Sequence, residues 1–498
     1  MLSIITLTLV WITLPLFIGF SIYLFPKIDR LLAVSVSIAS IGYGLGQVLY
    51  PTTVSLQLFD SFGVTLLINS LSGYFVLTNA VVTAAVIIYC WQQNKGAFFY
   101  TQVIILHGSV NAVFICADLI SLYVALEVIG IAAFLLITYP RTNRAIWVGL
   151  RYLFISNTAM LFYMIGALLV YQVNQSFAFS ALDNAPPEAI ALIFLGLLTK
   201  GGVFVSGLWL PLTHAESAVP VSALLSGAVV TTGVFPLVRF ALLNPAIEPI
   251  IQILGIATAG LGTVCAVFEK DTKRLLACST ISQMGFVLVV PITAGFYALA
   301  HGLAKAALFL SVGNLPSRNL DVLKERAMSF PLWLAIAAGS LSLAGFPLLA
   351  GFDAKVLSLK QLSGPWALAM DIAAVGTAAA LAKLIFLPVA NPLAELALTS
   401  EDSRENSAAP TGPDSPELSA IAIALLLSGL VAASALHTED YTALTLTKAL
   451  GKIGIGWFAY YVFFRRATFS LPRAPETLEN LIGTMSIVLT VLFWIVLA

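Results

Sequence analysis

Six side chains in this sequence combine a titratable group with an apolar setting: Glu127, Lys200, His301, Lys305, Lys355 and Lys383. Lys200 stands in LLTKGGVFVSGLWLPLTHAESAVPVSALLSG, where Gly201, Gly202, Gly207, Pro211 and Pro220 interrupt a segment of membrane-spanning length. A cation near the centre of a bilayer costs from about 3 to above 10 kcal/mol, so such a residue faces a protein interior or a water-filled cavity. Backbone freed by a helix break must be satisfied there too. A lysine beside a broken helix at mid-bilayer therefore marks a candidate ion or proton pathway, with a lysine snorkelling to the surface as the plainer alternative.

Glu127 lies midway along LISLYVALEVIGIAAFLLITY, with no other charge between Asp118 and Arg141. It either stays neutral or meets a cation, for which Lys200 is the obvious candidate, and such a pair could act as a switch or as a static strut. His301 and Lys305 are four apart in HGLAKAALFL and share a helix face, a spacing suited to a proton relay because histidine titrates near neutral pH. Lys355 follows a second interruption, SLSLAGFPLLAGFDAK, with Asp353 as its expected local counter-ion. Lys383 could serve the pathway or snorkel to the cytoplasmic surface. Asp371 lies twelve residues before it, roughly 18 Å along a helix, too far for a direct pair. His107 reads as a core residue. His214 and Glu216 are two groups without other ligands nearby, so an entrance or capped turn is expected rather than a metal site.

The elements that must position these groups are membrane helices. The chain has 498 residues, 59% hydrophobic and 10% charged, with no net charge and a mean hydropathy of +0.98. Soluble globular chains carry about 25% charged residues, so this is an all-α polytopic membrane protein. About sixteen spans are expected, the seventh (189–208) and twelfth (331–360) broken. Lys and Arg cluster after odd-numbered spans, which places the N-terminus outside. The first apolar run, without a basic leader, reads as a retained helix. Lys and Arg form no basic stripe, which argues against nucleic acid. Cys90, Cys116, Cys265 and Cys278 have no metal-ligand spacing and read as packing residues. An acidic, Pro- and Ser-rich stretch, 391–416, reads as a cytoplasmic linker. Counting spans four to eight and nine to thirteen as two units puts each break fourth in its unit, and an odd number of spans inverts the second copy. The expected divisions are 1–95, 96–243, 244–390, 391–416 and 417–498.

The run DTKRLLACSTISQMGF, 271–286, resembles the signature of the antiporter-like proton-pumping subunits shared by respiratory complex I, its photosynthetic relatives and Mrp-type cation/proton antiporters. HGLAKAALFL, SLSLAGFPLLAGFDAK and WLPLTHAESAVPVSALLSG are similar to other stretches of that family, so the resemblance covers about 65–390. It implies a bundle of fourteen helices with two inverted five-helix repeats. It further implies that Glu127 and Lys200 form the first half-channel's charge pair, His301 and Lys305 the central relay, and Lys355 the lysine of the far half-channel. One departure stands out. Many members carry a lysine where this chain has Thr231, so either water and hydroxyls such as Thr231, Thr232 and Ser282 span the central bridge, or the first half-channel is not connected as in the pumps. No extended amphipathic stretch occurs past residue 400, so the long lateral helix of some larger members is not expected.

The expectation is a membrane subunit of a multi-subunit cation/proton antiporter of the Mrp D type, exchanging protons for sodium alongside other membrane subunits in a bacterial plasma or thylakoid membrane. The alternatives are a proton-pumping subunit of an NADH- or ferredoxin-driven quinone oxidoreductase, and a non-conducting assembly subunit. No cofactor, metal or catalytic chemistry of its own is expected on this chain, which carries no dinucleotide fingerprint.

Overall fold

Each apolar run predicted to span the membrane is helical. The computed structural model describes residues 2–58, 63–390, 416–465, 469 and 471–497. The expected linker falls, at 391–415, outside the described residues. The first helices are α1 (Leu2–Leu24), α2 (Asp29–Leu49), α3 (Ser70–Tyr89), α4 (Ala97–Ile115), α5 (Leu119–Ile137) and α6 (Asn143–Asn174). The seventh span is α7 (Pro187–Lys200), which breaks and leads through a short 3-10 turn to α8 (Leu210–Glu216). The eighth combines α9 (Val219–Leu224), a π turn at Leu225–Val229 and α10 (Thr231–Leu243). Then come α11 (Glu248–Phe268), α12 (Thr272–Val289), α13 (Ala294–Val312) and the short α14 (Leu320–Leu323). The twelfth span is α15 (Phe330–Ala344) followed by α16 (Ala350–Lys360). The chain continues with α17 (Gly364–Ile385), α18 (Pro416–Ser434), α19 (Ala443–Ala459) and α20 (Leu478–Leu497).

Among the described residues, thirteen of these helical stretches are long and apolar enough to cross a membrane. Three further predicted spans fall short of that measure for local reasons. Helix α12 carries Lys273 and Arg274 in its first turn, the α15–α16 span is interrupted, and α19 is 17 residues long. The stretch α9–α10 and helix α13 are buried throughout their apolar windows, whereas α1 and α20 leave most of theirs on the outside. The centre of the bundle is therefore the region that holds Thr231, His301 and Lys305.

Close helix packing here depends on small residues, as expected where lipid offers no hydrophobic drive to association. A Cβ on Gly233 of α10 would lie 2.1 Å from the Gly201 nitrogen, so the main chains of α7 and α10 touch at the first break. A Cβ on Gly351 would lie 1.8 Å from the Ser342 carbonyl oxygen, which clamps the two half-helices of the second break together.

One feature the sequence pattern hides is a hairpin. Strand β1 (Val54–Gln57) pairs antiparallel with β2 (Thr65–Ile68), Val54 opposite Ile68. Its anchor is Arg239 of α10, which is buried and donates to the Cys116 carbonyl at 2.9 Å and the Leu67 carbonyl at 3.1 Å.

Candidate functional site

The first break ends α7 at Lys200, where Gly201 caps the helix and Gly202 takes a positive φ of 64°. A side chain would be strained at that angle. Lys200 is buried and its Nζ donates to the Leu126 carbonyl of α5 at 3.0 Å. Room for the ammonium comes from Gly130, one turn further along α5. A Cβ there would stand 3.1 Å from Nζ and 3.4 Å from Ser156 Oγ. Glu127 is half-buried on the same helix, between exposed Val124 and Ile131, and its Oε1 is buried without a hydrogen-bond partner among the described residues. The two charges thus meet at α5, but Lys200 binds the main chain beside Glu127 rather than its carboxylate.

The second break turns on Gly345, with φ of 90°, and on Leu348, a non-glycine residue at φ 73°. Lys355, five residues into α16, lays its stem against the bare face of Gly345, where a Cβ would be 3.0 Å from its Cδ. Its Nζ has no hydrogen-bond partner among the described residues and stands 5.2 Å from the centre of the Phe286 ring, a cation–π contact. Lys355 also lines a cavity of about 530 Å³ together with Lys360, Asp371, Lys448 and Lys452. Asp353 is not its counter-ion. That carboxylate is fully buried and turned to α18, where Ser434 Oγ donates to Oδ2 at 2.6 Å and Tyr441 joins Ser434 at 2.7 Å. Asp371 pairs instead with Lys452 of α19 at 2.5 Å, a partner 81 residues away that spacing rules cannot find.

Between the breaks, His301 and Lys305 are fully enclosed on α13. Both His301 ring nitrogens lack a hydrogen-bond partner among the described residues, and Lys305 Nζ donates to the Leu276 carbonyl of α12 at 2.8 Å. Thr280 Oγ1 donates to the same carbonyl at 2.9 Å and shares a 2.7 Å hydrogen bond with Ser226 in the π turn. One helical face of α12 carries this line onward. Gln283 accepts from the Tyr297 hydroxyl at 2.8 Å, and Tyr297 stacks on Phe286, the ring under Lys355, at 5.7 Å. Leu276, Thr280, Gln283 and Phe286 are spaced at successive helical turns, a stripe about 15 Å long from the acceptor of Lys305 to the aromatic seat of Lys355.

The hydroxyls expected to bridge the centre lie differently. Thr231 and Thr232 donate to their own helix, to Ala228 and Val229 carbonyls at 2.6 Å each, and Ser282 pairs with Thr263 at 2.9 Å. Ser226 and Thr280 hold the central position instead. Lys383 donates to the Ala266 and Glu269 carbonyls at 3.1 and 2.8 Å, capping the C-terminal end of α11. His107 is a core residue between Thr83 at 3.2 Å and Ser40 at 2.9 Å. His214 is buried with neither ring nitrogen partnered among the described residues, and Glu216 pairs with Arg144 at 3.4 Å.

Outside the spans, Glu269 joins α11 to α12. Burial pushes its carboxyl pKa up, but the Arg473 hydrogen bonds at 2.9 and 3.0 Å and the Arg274 charge outweigh this and hold it below the usual range.

Residues 116–381, more than half of the chain, match the model of a family described as NADH:quinone oxidoreductase/Mrp antiporter, TM. The chain is 28% identical over 326 residues to the D-type subunit of a Na(+)/H(+) antiporter from Alkalihalophilus pseudofirmus, covering 59% of this chain and 66% of that one. It is likewise 28% identical over 330 residues to the N-type subunit of an NADH-quinone oxidoreductase from Desulforudis audaxviator, again 59% and 66%. The alignments thus span just under two thirds of either relative. A chain in the structure of the Mrp complex from Dietzia sp. DQ12-45-1b shares the fold, with a TM-score of 0.68 at 18% identity over 95% of this chain and 100% of that one.

Proposed function

Since the chain belongs to the NADH:quinone oxidoreductase/Mrp antiporter membrane family, we propose that it is a proton-conducting subunit of a multi-subunit cation/proton antiporter, with sodium as the exchanged cation. The observation that carries this reading is the pair of buried lysines at the two breaks, Lys200 with one carbonyl acceptor and Lys355 with none among the described residues, the second connected toward Lys305 by the α12 stripe. A buried ammonium with incomplete hydrogen bonding costs free energy that a proton leaving or a counter-charge arriving relieves. Protonation at Lys355, whose buried ammonium lies beside the lysine-lined cavity, changes the field at Lys305. Lys305 in turn biases Lys200, whose attraction to Glu127 depends on both being charged. Lys383, at the end of α11, would sit at the cytoplasmic mouth of the second unit.

In this reading residues 96–243 and 244–390 are the two inverted repeats, the N-terminus faces outside, and the chain works with other membrane subunits in a bacterial plasma or thylakoid membrane. The test uses everted vesicles containing the whole complex. Glu127→Gln, Lys200→Met and Lys355→Met should each abolish sodium-dependent dissipation of an imposed pH gradient while the complex still assembles. Wild-type rates in all three would end the proposal. The equal similarity to a quinone-oxidoreductase chain supports a second reading, a redox-driven proton pump. Purification with neighbours separates them, because iron–sulfur and quinone-reducing partners belong only to the pump. If all three variants also assemble and transport normally, the chain is an assembly subunit.

A further inference from the structure

Two of the cysteines stand together. Cys265 of α11 and Cys278 of α12 interact side chain to side chain, in a small cluster with Ala266, Val267 and Ala380. The helices that carry them touch main chain to main chain. A Cβ on Gly262 would lie 2.2 Å from the Ser282 nitrogen and one on Gly285 would lie 2.4 Å from the Ala259 nitrogen, so each turn forward on α11 meets a turn back on α12. One more turn of that register brings residue 265 opposite 278 and 279. A disulfide needs Cα atoms about 4.4–6.8 Å apart, and helices in such contact bring facing residues within that range.

The two thiols differ in access. Both line a cavity of about 270 Å³ that is also walled by Leu471, Pro472, Arg473, Pro475 and Glu476. Cys265 is partly exposed, whereas Cys278 is 3% exposed. An oxidant of a few atoms entering this cavity therefore meets Cys265 first, with Cys278 behind it. We propose that Cys265 and Cys278 form a peroxide-responsive dithiol, closing to a disulfide that ties α11 to α12 and slows transport. The Cys265 thiolate attacks one oxygen of hydrogen peroxide. The O–O bond breaks, hydroxide leaves and takes up the proton that the thiol released, and Cys265 becomes a sulfenic acid. The Cys278 sulfur then attacks the Cys265 sulfur, the S–O bond breaks, and the second oxygen leaves as water with the Cys278 proton. Two thiols and one peroxide thus give one disulfide and two waters.

The tie falls between two cations of the pathway. On one side Lys383 donates to the carbonyl of Ala266, next to Cys265, and Ala380 of the same cluster lies one turn before it on α17. On the other, Lys305 donates to the carbonyl of Leu276, two residues before Cys278. Drawing α11 and α12 together shifts both acceptors. The effect on transport rests on the reading of the chain as a proton-conducting subunit, whereas formation of the disulfide does not.

The test treats everted vesicles containing the whole complex with graded hydrogen peroxide, blocks free thiols with iodoacetamide and maps the peptides by mass spectrometry. A linked Cys265–Cys278 pair should appear and dithiothreitol should release it, while the buried Cys90 and Cys116 stay free thiols. Cys278→Ala should stop at a sulfenic acid on Cys265 that dimedone traps. Full oxidation should slow sodium-dependent dissipation of a pH gradient about tenfold, the factor expected when one of the Lys383 hydrogen bonds is lost, and dithiothreitol should restore it. Cys265→Ala should transport at the wild-type rate with or without peroxide. Absence of the linked pair at every peroxide concentration, a link to another cysteine or subunit, or undiminished transport by the oxidised complex where Lys200→Met blocks transport, overturns the proposal. If Lys200→Met transports normally too and the linked pair is present, the conducting reading fails and the dithiol stands.

Discussion

Replacing Gly130 by alanine should slow transport without weakening the fold. The added methyl would stand 3.1 Å from Lys200 Nζ and 3.4 Å from Ser156 Oγ, inside ordinary contact distance for the first. The lysine head is the movable partner, so it retreats by a few tenths of an ångström from α5. The Leu126 carbonyl that it binds at 3.0 Å is on that same helix, and the hydrogen bond stretches. A hydrogen bond from a charged group contributes about 1.5–3 kcal/mol, and losing half of it costs about 1 kcal/mol, or roughly a fivefold fall in rate if Lys200 must be seated for each cycle. Alanine in a helix interior is meanwhile about 1 kcal/mol more favourable than glycine, so stability should hold or rise. The assay is sodium-dependent dissipation of a pH gradient in everted vesicles, set against the thermal stability of the purified complex. A wild-type rate with Gly130→Ala, or a fall in rate that merely follows a fall in assembled protein, would refute the reasoning.

Thr280→Val should reduce transport about tenfold, because it deletes the hydroxyl joining Ser226 to the Lys305 acceptor, whereas Thr231→Val, whose hydroxyl serves its own helix, should transport near the wild-type rate. Equal effects of the two, measured in the same vesicles, would remove Thr280 from the pathway. Gly351→Ala forces a Cβ to 1.8 Å from the Ser342 carbonyl and should prevent assembly, seen as loss of the complex from the membrane fraction. Glu269→Gln strips Arg274 and Arg473 of a buried carboxylate and should destabilise the complex by about 3 kcal/mol, read as a lower melting temperature. Because the Glu269 pKa is depressed in the fold, its stabilisation is complete above the ordinary carboxylate value near 4 and fades as pH falls through the lower folded value. Wild type should lose more stability than Glu269→Gln across that acid window in melting curves recorded at each pH.

The spans and both breaks could be read from the chain because length of apolar run and the glycines and prolines at 201–220 and 345–351 are local properties. The identity of the enclosed charges was legible for the same reason, since a lysine in such a run stands out by itself. Their partners were not. Which atom Lys200 reaches depends on the rotation of α5 about its axis, and that rotation is fixed by packing far from either residue. Asp353 turns to Ser434 and Asp371 to Lys452 across gaps of 81 residues each, set by where α18 and α19 dock. Thr231 misled because a hydroxyl within a helix readily bonds back to its own carbonyls, leaving Ser226, freed by the π turn, to face Thr280. Strands of four residues, β1 and β2, carry too little alternation to be seen against so apolar a background.

The two interruptions bear on energetics in another way. Helix α7 runs 14 residues before its break and α15 runs 15, about 21–22 Å each. On the proposed inversion of the two units, the seventh and twelfth spans would enter from opposite faces, and in a hydrocarbon layer of about 30 Å the two gaps would sit at different depths, roughly 13 Å apart along the normal. A proton passing from one to the other in the proposed pathway would cross about two fifths of the transmembrane potential. At 100 mV that amounts to about 1 kcal/mol of electrical work per charge, placed by architecture in the stretch between Lys200 and Lys355.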